Sequence, residues 1–193
     1  KFDITKMEDM ADAMAALTFQ GKNGAFELKD AASQFGRLSA AAAAFGLEKG
    51  AKGVKTLGGL TQIARSATGS PEQAATAVEA MFRQLISKSG DIEQLTGTKV
   101  FTDDSKTKAR DVQAVLAETI AGAKGNLPTL QAIFGDEGAR GIKPLISTFN
   151  EAQAAAKAGG VKDEAGQVAA GLAALKKALS DAIDAPGTYA ELQ

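Results

Sequence analysis

Cysteine, histidine and tryptophan are absent from this chain of 193 residues, and it has one tyrosine and four prolines. Without cysteine there is no disulfide framework, no thiolate metal site and no cysteine nucleophile. Without histidine the commonest general base, metal ligand and triad member is missing. Neither sign of charge dominates, because 22 Lys and Arg stand against 23 Asp and Glu. A general nucleic-acid binder carries a basic excess to displace counterions, so DNA contact is not indicated. No apolar run approaches the ~18 residues needed to cross a bilayer, and no secretory signal opens the chain. The longest small-apolar stretch, Ala40 to Phe45, reads as helix interior.

What is present is alanine, at forty positions, with nine phenylalanines supplying most of the aromatic bulk. Alanine is the best helix former and gives a sheet little to pack. Apolar and polar residues nowhere alternate for long, so helix is the default reading. The length suits one compact domain able to bury roughly 70% of its unfolded surface. The expected fold is all-α: a bundle of about seven or eight short to medium helices, with one small β-hairpin near residues 99–110. The expected organisation is a single helical module over 1–193, a fragment of a longer chain. Within it, 1–96 holds the N-terminal helices, 97–158 a hairpin plus helices, and 159–193 the terminal helix.

Helix boundaries follow from caps and glycines. Thr5-Lys6-Met7-Glu8 has the pattern of a capping box. It opens a helix that ends at Gly21 and sets Met7, Met10, Met14 and Leu17 on one face, read as core before partner groove. From Glu27 to Phe45 the residues Leu28, Ala31, Phe35, Leu38, Ala42 and Phe45 form a packing seam, closed by Gly46 as a left-handed cap. A third helix, roughly Glu48 to Ala67, turns Val54, Leu57, Leu60 and Ile63 inward. Its Gly58-Gly59 pair costs about 1 kcal/mol per glycine against alanine, which points to close helix contact or to a kink. Ser70-Pro71-Glu72-Gln73 is the sharpest boundary, with a capping serine, proline at N1 and glutamine completing a box. The helix it opens frays over Ser87 to Gly90, and Asp91 caps one further turn to Leu95.

Between Gly97 and Arg110 the helical pattern fails, which is where the hairpin is expected. Asp111 then caps a helix to Gly122 through Val112, Val115, Leu116 and Ile120. Asn126 caps a short helix closed by Gly135. Asp136 caps another to about Lys157, which Pro144 is expected to bend or break. Gly159-Gly160 precedes the last helix, about Lys162 to Ile183, whose Val161, Ala165, Val168, Leu172, Leu175, Leu179 and Ala182 make a heptad-like stripe. That stripe suits packing within the domain and pairing between chains alike. Pro186-Gly187 ends it.

Reactive groupings are few. Gly135-Asp-Glu-Gly138-Ala-Arg-Gly141 opens a helix but lacks the lysine and preceding strand of a phosphate-binding loop. Asp103, Ser105, Thr107 and Asp111 have spacings loosely like a calcium loop, yet lysines interrupt them and no closing glutamate follows. Glu8 and Asp12 share a helix face, where solvation is the plainer reading than acid–base work. Lys49, Lys52 and Lys55 form a small basic stripe, read as a water-facing side that could also meet DNA or an acidic partner. A Ser–Lys nucleophile has no pattern to point to it. No catalytic, cofactor-binding or metal residue is assigned, and no cofactor is expected.

The order of several segments nevertheless resembles a family. Gly24-Ala-Phe-Glu-Leu-Lys-Asp30, then Phe35 and Ala40 to Gly46, look like the helical core region of phage tail tape measure proteins. The likeness continues to Ala67, through Ser70 to Ala75 and Met81 to Ile86. It resumes at Lys99 to Phe101, Asp111 to Ile120, Ile133 to Glu137 with Leu145-Ile146, and the Ala/Leu/Lys-rich Ala169 to Ile183. About 160 residues are covered, and Asp103 to Lys108 match least. The resemblance implies a multi-copy, non-enzymatic structural protein of the virion. It would lie in the tail lumen, after assembly in the host cytoplasm, and set tail length. Its implied partners are the tail tube protein, distal tail or baseplate proteins, tail assembly chaperones and further copies of itself, with no small-molecule substrate.

A ruler needs rise proportional to residue number. Drawn as one helix the chain would span on the order of 290 Å, yet caps and glycines interrupt it every ~15–20 residues. The expectation is therefore a folded module rather than an extended measuring stretch. Two other readings compete. One is a stand-alone helical protein-binding or effector module without catalysis, which would show no association with tube or baseplate proteins. The other is a hydrolase, for instance a wall-cleaving enzyme, which a turnover assay on peptidoglycan and esters would reveal.

Overall fold

The computed structural model describes residues 2–23 and 25–184. They form eight helices: α1 (Met7–Asn23), α2 (Leu28–Phe45), α3 (Gly50–Ser66), α4 (Pro71–Ser87), α5 (Ser89–Thr96), α6 (Val112–Gly122), α7 (Leu127–Ala158) and α8 (Glu164–Ile183). The fold is an all-α bundle. Among the described residues, the only β-pairing outside the helices is an isolated antiparallel bridge between Phe101 and Ala109.

Local chemistry sets most of the boundaries. Ser70 Oγ accepts from the Gln73 N–H at 3.3 Å, with Pro71 at the first helical position. Asp111 accepts from the Ala114 N–H at 2.9 Å, Asn126 from Thr129 at 3.0 Å and Asp163 from Gly166. Each cap satisfies an amide that the first helical turn leaves free. At the start of α2 the Asp30 carboxylate accepts from the Glu27 N–H at 2.9 Å, and Gly46 closes that helix at φ 94°.

Several boundaries differ from expectation. Helix α1 starts at Met7, with the Met10 N–H on the Lys6 carbonyl at 3.2 Å, so Lys6 is the N-cap and Thr5 stands one residue outside. It also runs past Gly21 to Asn23. Gln73 Oε1 reaches the Gly69 N–H at 2.8 Å rather than the cap residue's own amide. Helix α5 begins at Ser89, leaving Asp91 inside its first turn. The expected break at Pro144 is absent. The interruption expected at Gly135 is present (φ 66°, ψ 174°), a conformation open essentially to glycine, and the two limbs of α7 meet there. Pro144 lies within the second limb, half-buried, beside exposed Arg140 and Lys143. The Pro186-Gly187 stop falls outside the described residues.

The hairpin near 99–110 reduces to the bridge and two flanking bonds, Thr102 N–H to the Lys108 carbonyl and Arg110 N–H to the Val100 carbonyl, both 2.9 Å. The wide turn between them leaves too few residues for a ladder.

One main core gathers side chains from α2 through α8, among them Leu38, Phe82, Leu116, Ile133, Phe149 and Leu179. Helix α4 sits centrally, in contact with α2, α3 and α7. The Phe45 and Phe82 rings meet at 5.5 Å and 48° across the α2–α4 contact. A smaller cluster, Ala13, Leu17, Phe26, Ala31 and Val54, ties α1 to α2 and α3. Burial of each large aliphatic or aromatic side chain contributes about 1.5–3 kcal/mol.

Glycine lets the helices approach closely. A Cβ on Gly58 would lie 2.7 Å from Leu17 Cδ2 in α1, and one on Gly59 would lie 2.6 Å from Ile183 Cγ1 in α8. The Gly58-Gly59 pair is therefore a two-sided contact, and α3 runs unbroken through it.

Candidate functional site

The groups weighed in the sequence are placed apart and largely engaged with one another. Gly138 and Gly141 face α4, where a Cβ on Gly141 would lie 2.8 Å from Ala77 Cβ. They act as packing contacts in the second limb of α7, which explains their spacing without a phosphate. Asp103 anchors the turn before α6. Its carboxylate accepts from the Ser105 hydroxyl, the Thr107 hydroxyl at 2.6 Å, and the Thr107 and Lys108 amides, the latter at 2.8 Å. These donors, Ser105 first, hold its pKa well below the usual carboxylate value. The oxygens that a calcium reading requires are thus committed to a turn, with Asp111 committed to the α6 cap. Among the described residues no group of three or more acidic side chains is poised for a metal ion.

Of the basic stripe, Lys49 pairs with Asp3 at 2.5 Å and Lys52 with Glu48 at 2.7 Å. Lys55 is half-buried and its carbonyl accepts from Gln20. Glu8 is exposed on α1 and Asp12 is half-buried. At the base of the turn, the Arg110 guanidinium grips Glu118 with two bonds of 2.8 Å and reaches the Lys99 carbonyl at 2.9 Å. The Glu118 bond raises the arginine's pKa.

The methionine stripe is the clearest correction. Met7, Met10 and Met14 are 87%, 48% and 45% exposed, and only Leu17 of the expected face is buried. Helix α1 instead turns Ala13, Ala16, Leu17 and Gln20 inward. Gln20 was not anticipated. Its Nε2 donates to the Lys55 and Ala182 carbonyls, both at 3.1 Å, and so ties α1, α3 and the end of α8 together. The stripe on α8 packs within the domain, with Gly171, Leu175, Leu179 and Ile183 as its buried line and Ala165 exposed.

Several concave surfaces are present, among them one of about 550 Å³ lined by Phe2, Asp3, Ala43 and Lys49. A cleft of about 220 Å³ beside the Asp103 turn is lined by side chains of both charges, among them Glu93, Lys99 and Lys106. A groove of about 450 Å³ between α2 and α4 has a floor of Ala40, Ala41, Ala44 and Ile86. Its edges carry Arg37, Glu79 and Arg83. The run Ala40 to Ala44 was the sequence signal for it, but nothing in the run says which alanines remain uncovered.

No family model, no curated protein and no solved structure matches the chain.

Proposed function

We propose that this chain is a folded, non-catalytic structural module of a phage tail tape measure protein, carried in the tail lumen of the virion. What supports the reading is a succession of short helices, each with its own start and stop, in the order on which the resemblance rests. The Ser70–Ala75 start, the Met81–Ile86 stretch, the Asp111-capped α6 and the Ile133–Glu137 break at Gly135 are such points. In this role the module meets the inner wall of the tail tube, distal tail or baseplate proteins and assembly chaperones, and acts through shape rather than chemistry.

A compact module and a measuring rod make different predictions for an in-frame deletion from the parent. A folded unit of this length has a radius of gyration of about 16 Å and a diameter of roughly 40 Å. Deletion should therefore shorten the tail by no more than about 40 Å, whereas loss of a continuous helix would remove about 290 Å. Shortening near the second value contradicts the folded-module reading. Unchanged tails with normal assembly and infectivity contradict the structural role itself.

A further inference from the structure

We propose that the methionine face of α1 docks into the alanine-floored groove between α2 and α4 of a second copy of this chain. The proposal holds whether or not the tape-measure reading does, because it rests on two surfaces that the fold leaves uncovered. Helix α1 turns Ala13, Ala16, Leu17 and Gln20 to the core and leaves Met7, Met10 and Met14 facing out. In the groove the arrangement is reversed. Ala40 and Ala44 are exposed at its floor, leaving a depression where most helix surfaces carry a ridge.

The two surfaces match in size, length and charge. Long, unbranched methionines are adaptable knobs, and alanines leave the holes that accept them. Met7 to Met14 and Arg37 to Ala44 each cover seven helical steps, about 10 Å of helix. Around the methionines, Glu8, Asp9 and Asp12 outnumber Lys6, so this end of α1 is acidic. At the groove Arg37 is paired with Glu79 at 3.2 Å, which leaves Arg83 as the surplus charge, a cation. The three carboxylates fall off the Met7–Met10–Met14 line, so docking buries none of them while opposite fields steer the encounter. An α1–α1 contact would instead set two acidic segments against each other.

Sedimentation velocity on the whole chain, over a concentration series up to about 1 mM, tests the proposal. The wild-type chain should self-associate. Met10→Glu with Met14→Glu, and separately Ala40→Glu, should each weaken association roughly 100-fold by placing an unpaired charge in the contact. All three positions are exposed, so helical circular dichroism should be unchanged. Because the chain has no cysteine, disulfide trapping reports the geometry directly. Met10→Cys mixed with Ala44→Cys under a mild oxidant should give chiefly the mixed dimer. A monomeric wild-type chain, undiminished association in either glutamate variant, or disulfides chiefly between like variants would each overturn the proposal.

Discussion

Gly171→Ala should destabilise the fold, although alanine is the better helix former. Gly171 lies inside α8, and a Cβ there would sit 2.5 Å from both Cδ2 and Cε2 of Phe149. Carbon atoms pack at about 3.5–4.0 Å, so the ring or the helix must move by about 1 Å. Phe149 is fully buried, and its ring packs directly on Gly171 of α8. Overpacking of this kind costs about 1–3 kcal/mol, against roughly 1 kcal/mol gained from helix propensity. The net expectation is a loss of up to about 2 kcal/mol. Gly36→Ala is the matched control. It is the same exchange inside α2, at an exposed position where a Cβ meets nothing within 4 Å, so it should stabilise by about 0.5–1 kcal/mol. Urea unfolding followed by helical circular dichroism measures both, with unchanged m-values showing that the two states compared are the same. Equal stabilisation by the two substitutions would refute the reasoning, because it would mean that the α7–α8 contact does not require glycine.

Other expectations are simpler. Ser70→Ala should cost about 1 kcal/mol in the same unfolding assay through loss of the α4 cap, while Thr5→Ala, outside α1, should leave stability within about 0.5 kcal/mol. Arg110→Lys keeps the charge but cannot hold Glu118 with two bonds and Lys99 with a third, and should cost about 1 kcal/mol. The Asp103 carboxyl has its folded pKa below its ordinary value of 3.8, so its contribution is present above that pH and is lost as pH falls through the lower folded value. Slow exchange of the Thr107 and Lys108 amides should therefore persist at pH 4, and Asp103→Ala should abolish it there without unfolding the bundle.

Element boundaries were legible where one side chain decides them locally. Ser70, Asp111 and Asn126 cap their own helices, and Gly46 supplies a left-handed stop, so each could be read from a few neighbouring residues. What lay beyond the sequence was decided by distant partners. Two stripes run along α1, and either could have been the buried one. Gly58 settles the choice, because its missing side chain makes room for Leu17 and the Gln20 amide. The Gly58-Gly59 pair left a kink and a close contact open, and only the positions of α1 and α8 show it to be a contact. The division of α7 at Gly135, whose backbone reaches φ 66° and ψ 174°, was legible from the sequence, whereas the further break expected at Pro144 does not occur. The expected hairpin shrank because Asp103 gathers its own loop into a wide turn. The groove between α2 and α4 was hidden for a similar reason, since it is defined by what does not cover Ala40 and Ala44.

The central physical claim is that these helices fold back on one another into a compact unit instead of running end to end. Small-angle X-ray scattering, extrapolated to zero concentration so that association does not contribute, tests it most directly. A compact bundle predicts a radius of gyration of about 16 Å. A value approaching roughly 80 Å, that of a continuous helical rod of the same length, would contradict it.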